Sequence, residues 1–198
     1  MPIKTDREYR SAGMMEPQGE EESYIVEGYA STFEPYVLYS YDGIDYSEKI
    51  DRHAFDAADM SDVIMQYDHS GRVFARKSNG TLQITTDDHG LKIRADLSKT
   101  SGSRALYEDI KAGLIKEMSF AFTVAEQSYN SETHTRNVLK IKKVYDVSAV
   151  SIPANPSTDI AARSYFEGVI EAEKLEQLER EARERQIRKI KILMEVSK

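Results

Sequence analysis

Several short segments between residues 23 and 152 are rich in β-forming residues or alternate apolar and polar side chains with a period of two, which predicts a mainly β domain. The clearest case is Thr81–Thr86 followed by Leu91–Leu97, two alternating arms separated by turn residues at 87–90. Further strands are expected at residues 24–30, 48–50, 62–67, 118–124 and within 138–152. A count of roughly six to eight short strands favours a barrel or a sandwich.

Helical periodicity occurs in two shorter stretches of this domain. Residues 101–114 carry an apolar side chain at every fourth position, and either Ser101 or Ser103 can cap the helix that this spacing predicts. The repeating positions are Leu106, Ile110 and Leu114. A second, short helix is expected over Ala54–Met60. The predicted fold class is therefore mainly β with flanking helices (α+β).

The C-terminal residues have a different character. The run Tyr165–Val196 contains no proline, and Ser164 with Glu167 forms a capping-box pattern at its start. Its charges are acidic first and basic later, an order that complements the dipole of a helix. A narrow apolar stripe follows it at Leu175, Leu178, Ala182 and Ile187. We expect a long helix that either projects from the body or pairs with another chain.

These patterns divide the chain into three segments. Residues 1–22 show no useful periodicity and are expected to form a flexible leader. Residues 23–162 would form the β domain and residues 163–198 a helical tail. No apolar run approaches the roughly 20 residues that cross a bilayer, and the N-terminus has no apolar signal region. Neither membrane insertion nor secretion is expected.

The composition excludes several kinds of site. The chain contains no cysteine, which rules out disulfides, thiolate metal sites and a cysteine nucleophile. The net charge of −7 argues against nucleic-acid binding. The sequence also lacks a glycine-rich phosphate loop, so no nucleotide or other cofactor is predicted.

Covalent hydrolysis by a hydroxyl needs an exposed serine, a base that takes its proton and a third group that orients the base. Among the four histidines, His69 differs because it ends an apolar strand next to Gly71, where its side chain can be rigid and still face a cleft. Ser119 lies on the small-residue face of one predicted strand, and Asp146 lies in a later one. The remaining histidines are expected to be solvated (His89 and His134) or structural (His53).

Each of these residues also has a simpler interpretation. His69 can be an ordinary packed or surface histidine, Ser119 an ordinary strand serine and Asp146 an edge-strand charge that discourages aggregation. A metal site formed by Asp68, His69 and Asp87 has no supporting ligand spacing, so no metal is predicted.

Five sequence blocks, in the same order, resemble those of the prohead protease family of tailed phages, the group allied to the herpesvirus assemblins. The blocks are Val26–Ala30 with Phe33, Glu48–Ile50 with Ala54 and Phe55, Gln66–His69, Gly113–Phe122 and Asp146–Pro156. Together they span about residues 24–160. Each block is modest alone, whereas their shared order is a specific signal.

The resemblance implies an assemblin-like β-barrel and a serine endopeptidase, with Ser119 as nucleophile and His69 as general base. It points to Asp146 as the third member, although the family usually carries glutamate there and the assemblins use a second histidine. The implied substrates are the phage's major capsid protein, its scaffold or capsid scaffolding segment, and the protease itself. The portal and further copies of the chain are additional expected partners. Cleavage would occur inside the immature prohead, in the host cytoplasm.

A second class of function is compatible with the same fold. The chain can be a non-catalytic prohead assembly or scaffolding protein, a role that the long charged helix favours. The retained serine, histidine and acidic positions count against this alternative. A general binding module built on a β-barrel is a third option, and no positive feature supports it.

Overall fold

Ten strands and two helices make up the described part of this computed structural model, which covers residues 7–18, 23–151 and 160–196. The elements are β1 (Glu8–Gln18), β2 (Ile25–Thr32), β3 (Tyr36–Tyr41), β4 (Ile44–Ile50), β5 (Ile64–Tyr67), β6 (Ser70–Arg76), β7 (Leu82–Thr86), β8 (Gly90–Asp96), α1 (Ser101–Lys111), β9 (Glu117–Asn130), β10 (Thr135–Val150) and α2 (Ile160–Val196). The chain divides into two compact units, Met1–Asp159 and Ile160–Lys198. The mainly β fold with flanking helices is confirmed.

The strands form one hydrogen-bonded path in the order β3-β4-β10-β9-β1-β2-β8-β7, and β5 pairs with β10 and with β6. Among the described residues, β3 and β7 end this path with one neighbour each, so the pairing does not show the closed barrel that was expected. Side chains alternate along β9, which places Met118, Phe120 and Phe122 in the core and Ser119 on the opposite face.

The N-terminal strand is the largest departure from the sequence prediction. Residues 8–18, expected in a flexible leader, form β1 between β9 and β2. The first part of β1 pairs with β9 and the last part with β2, and the register shifts between Ser11 and Gly13. The sequence conceals this strand because the bulge interrupts its alternation and because charged residues occupy inward positions. Residues 1–6 and 19–22 of the expected leader lie outside the described residues.

The predicted hairpin is confirmed as β7 and β8. Leu82 pairs with Ala95 and Ile84 with Ile93, and all four side chains are buried. The Asp87 carboxylate accepts two backbone hydrogen bonds within the turn, at 2.8 and 3.1 Å. The turn chemistry and the apolar alternation therefore agree, which is why the sequence alone located this hairpin.

The first helix is confirmed as α1, with two corrections. Its N-cap is Thr100, whose hydroxyl accepts a hydrogen bond from the Ser103 N–H at 3.0 Å, rather than Ser101 or Ser103. Leu114, expected in the buried stripe, is 73% exposed. The helix ends before Gly113, which adopts a φ of +73°, so the chain has left the helical path by Leu114.

The short helix expected over Ala54–Met60 is wrong. The segment is made of turns in which an N–H bonds to the carbonyl three residues earlier, as from Ala54 to Asp51 at 3.0 Å. The carboxylate of Asp51 also accepts a backbone hydrogen bond locally, an arrangement that competes with a helix. Asp59 then forms a parallel bridge to Lys143 of β10.

The long C-terminal helix is confirmed as α2. It begins at Ile160, so the expected capping box of Ser164 and Glu167 lies inside the helix and does not cap it. Alanines and an arginine precede Ser164, and such strong helix formers extend the helix toward the N-terminus. Among the described residues, no helix is both long and apolar enough to span a membrane.

Four buried charges connect β1 to β4 and β10. The Glu48 carboxylate accepts hydrogen bonds from Arg10 Nε at 2.6 Å and from Arg136 Nη1 at 2.7 Å. Glu8 accepts from the same two guanidinium groups at 2.5 to 2.8 Å. The Tyr36 hydroxyl donates to Glu48 at 2.6 Å. Each of the four charged residues is at most 7% exposed, so the charges are stabilised by one another rather than by water.

The electrostatics of this network centre on Glu48. Burial raises the pKa of its carboxyl group, but the guanidinium groups of Arg10 and Arg136 lower the pKa by more than burial raises it. The resulting pKa is about 2. Burial lowers the pKa of Arg10, and the carboxylates of Glu48 and Glu8 more than offset this effect, so that it lies well above its ordinary value. Glu48 and Arg10 are therefore both charged at neutral pH.

Glu48→Gln is expected to lower the free energy of unfolding by about 3 to 5 kcal/mol, because it leaves two buried guanidinium groups undercompensated. Urea denaturation at pH 7 measures the loss. The control is Glu126→Gln, which breaks the exposed pair of Glu126 with Lys140 and should cost less than about 1 kcal/mol. Equal losses for the two variants would contradict the assigned role of the network.

The stability of the wild-type protein is expected to fall as the pH drops from about 4.5 toward about 2. The folded pKa of Glu48 lies below its unfolded value, so its contribution is present above the unfolded pKa and is lost as the carboxylate becomes protonated. The contribution is on the order of 3 kcal/mol. Urea denaturation at pH 5 and at pH 3 measures the loss in the free energy of unfolding. The Glu48→Gln variant should lose less between these two pH values than the wild-type protein. The same difference in both proteins would contradict the prediction.

Candidate active site

Ser119 is positioned by the two neighbours of β9. It pairs with Ser148 of β10 on one side and with Ser11 of β1 on the other. Its side chain points away from the core because Met118 and Phe120, its neighbours in the chain, point into it. Ser119 was expected to be exposed but is only 1% exposed, because the residues around it on this face of the sheet cover its hydroxyl.

Asp146 reaches the same face from β10. It pairs with Ala121 of β9 and with Ile64 of β5, after an irregularity in the β9–β10 register between Val144 and Asp146. Its side chain is 2% exposed. The buried carboxylate Oδ1 accepts a hydrogen bond from the Ser148 hydroxyl at 2.9 Å. Asp146 and Ser119 are thus presented by adjacent strands.

His69 lies in the two-residue turn between β5 and β6. Tyr67 and Ser70 pair across this turn, and the residues between them, Asp68 and His69, have φ values of 47° and 54°. Two successive positive φ values define a type I′ hairpin turn, which favours glycine and asparagine. A histidine there adopts a backbone conformation that few residue types adopt, and such conformations concentrate at functional sites.

The side chain of Asp68 fastens this turn to the end of β10. Its carboxylate accepts hydrogen bonds from the Ser151 backbone N–H and hydroxyl, each at 2.9 Å. The Asp68 N–H donates to the Ala149 carbonyl at 3.0 Å. The turn is therefore held to the end of β10 by both the backbone and the side chain of Asp68, which restricts the position of the adjacent His69.

The three predicted side chains meet in one chain of hydrogen bonds. His69 Nε2 lies 2.7 Å from Ser119 Oγ, and His69 Nδ1 lies 2.5 Å from Asp146 Oδ1. A carboxylate only accepts hydrogen bonds, so Nδ1 carries the proton and Nε2 is free to accept from the serine hydroxyl. The His69 side chain is 16% exposed, which makes it the most accessible member. A nucleophile, a base and an orienting acid need hydrogen bonds in this order.

Residues from the start of the chain complete this cluster. The Tyr9 ring packs edge-on against the His69 ring, with centroids 4.7 Å apart and planes at 70°. Arg7 Nη1 lies 4.0 Å from Asp146 Oδ2 and its guanidinium stacks over Tyr145. Neither residue was predicted from the sequence, because this region was expected to form a leader and no local pattern marks Arg7 or Tyr9.

Sequence analysis also assigned no role to Ser148, Asp68 or Ser151 in orienting the site. Ser148 lies in the block Asp146–Pro156 that resembles the family. Its spacing of two residues from Asp146 places both side chains on one face of the strand, and this spacing could have indicated their contact. The roles of Asp68 and Ser151 depend on a contact between residues 83 positions apart, which no local pattern reveals.

The other histidines lie elsewhere. His53 is exposed and bonds to Asp56 at 3.1 Å, and His89 is exposed beside Tyr29. His134 is half-buried against Tyr46 rather than solvated as expected, because its loop folds back over β4. Among residues 7–18, 23–151 and 160–196, no group of three or more acidic or histidine side chains is arranged to hold a metal ion.

One protein-family model matches most of the chain. The family model described as the caudovirus prohead serine protease matches residues 10–169. The chain belongs to this family. The resemblance inferred from the five sequence blocks is therefore confirmed, and this prohead protease family member has a protease role in phage capsid maturation. No curated protein and no solved structure matched the chain.

Proposed function

We propose that the chain is a serine endopeptidase in which Ser119 is the nucleophile, His69 the general base and Asp146 the orienting acid. The observation that carries the proposal is the pair of short contacts from one imidazole, 2.7 Å to Ser119 Oγ and 2.5 Å to Asp146 Oδ1. The three residues come from separate parts of the chain, and the serine peptidase family supplies the reaction class.

The proposed reaction begins when Ser119 Oγ forms a bond to the carbonyl carbon of the scissile peptide and its proton passes to His69 Nε2. Asp146 stabilises the resulting imidazolium through the Nδ1 hydrogen bond. Collapse of the tetrahedral intermediate breaks the C–N bond, and the Nε2 proton moves to the leaving amine. Water, deprotonated by His69, then cleaves the ester and restores the Ser119 hydroxyl.

The oxyanion would be held by backbone N–H groups. We propose Gly71 as one donor, since it follows the His69 turn and adopts a φ of +69°. A Cβ built at Gly71 would meet no atom within 4 Å, so the space beside its Cα is open.

The buried state of Ser119 has a consequence for access. With Ser119 1% exposed, a peptide carbonyl reaches its hydroxyl only after neighbouring groups move, and Tyr9 is the ring that packs against the base. We therefore expect slow cleavage by the free chain and faster cleavage in the assembled prohead, where the substrate is concentrated.

The proposed substrates are the phage's own capsid proteins within the immature prohead in the host cytoplasm. They comprise the major capsid protein and the scaffold or capsid scaffolding segment, with the portal as a further partner. Self-cleavage is proposed in α2, whose side chains are largely exposed over residues 171–194, and not within residues 8–18, which are hydrogen-bonded to β9 in their first part and to β2 in their last part.

The second candidate is a non-catalytic assembly protein with the same fold, favoured by the long exposed helix α2. Co-expression of the chain with its capsid protein separates the two. New N-termini in the capsid protein with the wild-type chain, and none with Ser119→Ala, support the enzyme. Intact capsid protein with both chains supports the assembly role.

Ser119→Ala and His69→Ala are each expected to reduce capsid-protein cleavage by a factor on the order of 10⁶, because the reaction loses its nucleophile or its base. Asp146→Asn should cost about 10⁴, because the imidazole tautomer is no longer fixed. Rates follow from gel densitometry of cleavage products. Wild-type cleavage by Asp146→Asn would mean that the third member is misassigned.

Two controls match these variants. His89→Ala removes an exposed histidine that packs on Tyr29. Thr123→Ala removes a buried hydroxyl of β9 that lies on the same face as Ser119 and has no hydrogen-bond partner. Both controls should cleave within about threefold of wild type, since neither contacts the proposed reacting groups.

Ser148→Ala is expected to lower kcat about tenfold with little change in KM, because Asp146 Oδ1 loses the hydrogen bond that orients it. Steady-state kinetics on a capsid-derived peptide measure both constants. A loss confined to KM, or no loss at all, would contradict a positioning role for Ser148.

A further inference from the structure

One face of α2 has an internal symmetry that the proposed function does not use. Six positions between residues 175 and 193 follow one another at spacings of 3, 4, 4, 4 and 3 residues. They are Leu175, Leu178, Ala182, Gln186, Ile190 and Leu193. At about 100° per residue, all six fall in a stripe about 120° wide. The spacings are the same in both directions about residue 184.

The large side chains of this stripe are exposed. Leu175 and Leu178 are each 59% exposed, Ile190 is 54% and Leu193 is 69% exposed. Ile187, which was expected in the stripe from the sequence, and Ile192 lie just outside it and are 48% and 53% exposed. Most of the other residues around the stripe are charged, so the leucines and Ile190 form an apolar seam bordered by a largely polar surface. Seams of this kind on a helix mark a surface that buries itself against another helix.

The symmetry of the seam identifies a second copy of α2 as its partner. When two identical helices run antiparallel about residue 184, Leu175 of one lies opposite Leu193 of the other. Leu178 then lies opposite Ile190, and Ala182 lies opposite Gln186. Only a seam with the same spacings in both directions matches itself in this way. The mean spacing is about 3.6 residues, the period of a straight helix, so no supercoil is required.

Charges favour the antiparallel arrangement over the parallel one. Glu179 and Lys189 lie within the same stripe, five residues on either side of residue 184. In an antiparallel pair each Glu179 faces Lys189 of the second copy, whereas a parallel pair brings like charges together. The surrounding residues are likewise acidic before residue 184 and basic after it. Residues 167–184 hold seven carboxylates and three cationic groups, and residues 185–194 hold four cationic groups and no carboxylate.

We propose that α2 is a self-association element, through which two copies of the chain pair antiparallel about residue 184. The apolar seam supplies the buried surface, and the two Glu179–Lys189 pairs set direction and register. The pairing does not depend on peptidase activity, and it requires only the described part of α2.

The test is a charge exchange in the full-length Ser119→Ala chain, which stays intact whether or not the wild type cuts itself. Sedimentation equilibrium measures the dimer dissociation constant. Glu179→Lys and Lys189→Glu should each weaken the dimer about tenfold, because both cross-pairs become repulsive. The double variant restores both pairs in reverse and should return to within about threefold of the starting value.

Glu184→Lys is the matched control. It makes the same change of charge at an exposed residue on the opposite side of the helix, about 180° from Leu175. This variant should leave the dissociation constant within about threefold of its starting value. Circular dichroism of each variant confirms that α2 is still helical.

A cross-linking experiment tests direction separately, and the absence of native cysteine makes it clean. Under oxidation, Leu178→Cys combined with Ile190→Cys should yield covalent dimers, whereas Leu178→Cys alone should not. Covalent dimers from the single variant would indicate parallel helices. That result, a monomer at all concentrations, or single charge exchanges without effect would each overturn the proposal.

Discussion

Strand register is the constraint on which the proposed site depends. The β9–β10 ladder places Ser119 opposite Ser148 and Asp146 opposite Ala121, while the β10–β5 ladder brings the Tyr67 end of β5 beside Ala149. The histidine turn then begins where it can reach both side chains. Since side chains alternate along a strand, a slip of one residue in the β9–β10 ladder would place Ser119 and Asp146 on opposite faces of the sheet. A slip in the β10–β5 ladder would displace the histidine turn relative to both. Tight packing of the bulky core face of β9 opposes such a slip.

Further polar contacts orient the side chains that the strand register brings together. The carboxylate of Asp68 anchors the type I′ turn to Ser151, and the hydroxyl of Ser148 holds the carboxylate of Asp146. Both contacts are made by groups that are distinct from the proposed reacting atoms. Fixed hydrogen-bonding groups of the protein hold the imidazole and the carboxylate in orientations that these groups would not keep in water. In this sense the site is preorganised before a substrate arrives.

The buried ion network has a related effect on the opposite face of the sheet. Arg10 and Glu8 of β1 are joined to Glu48 and Arg136, and alternation along β1 then directs Tyr9 to the face that holds His69. The ion network on one face of β1 therefore fixes the position of Tyr9 on its other face. The four charges compensate one another, so the buried cluster is compatible with a stable strand. Removing one of them would leave the others buried without full compensation.

Elements with local signals could be predicted from the amino-acid sequence alone. The β7–β8 hairpin and the C-terminal helix followed from periodicity and turn residues, and the order of five blocks indicated the family and the three candidate side chains. Only the tertiary structure placed β1 in the sheet, because its inward residues are charged and are stabilised by partners as distant in the chain as Arg136. It also decided that Ser119, His69 and Asp146 touch, since hydrogen bonds spanning 50 and 77 positions are set by strand pairing and leave no periodic trace in the chain.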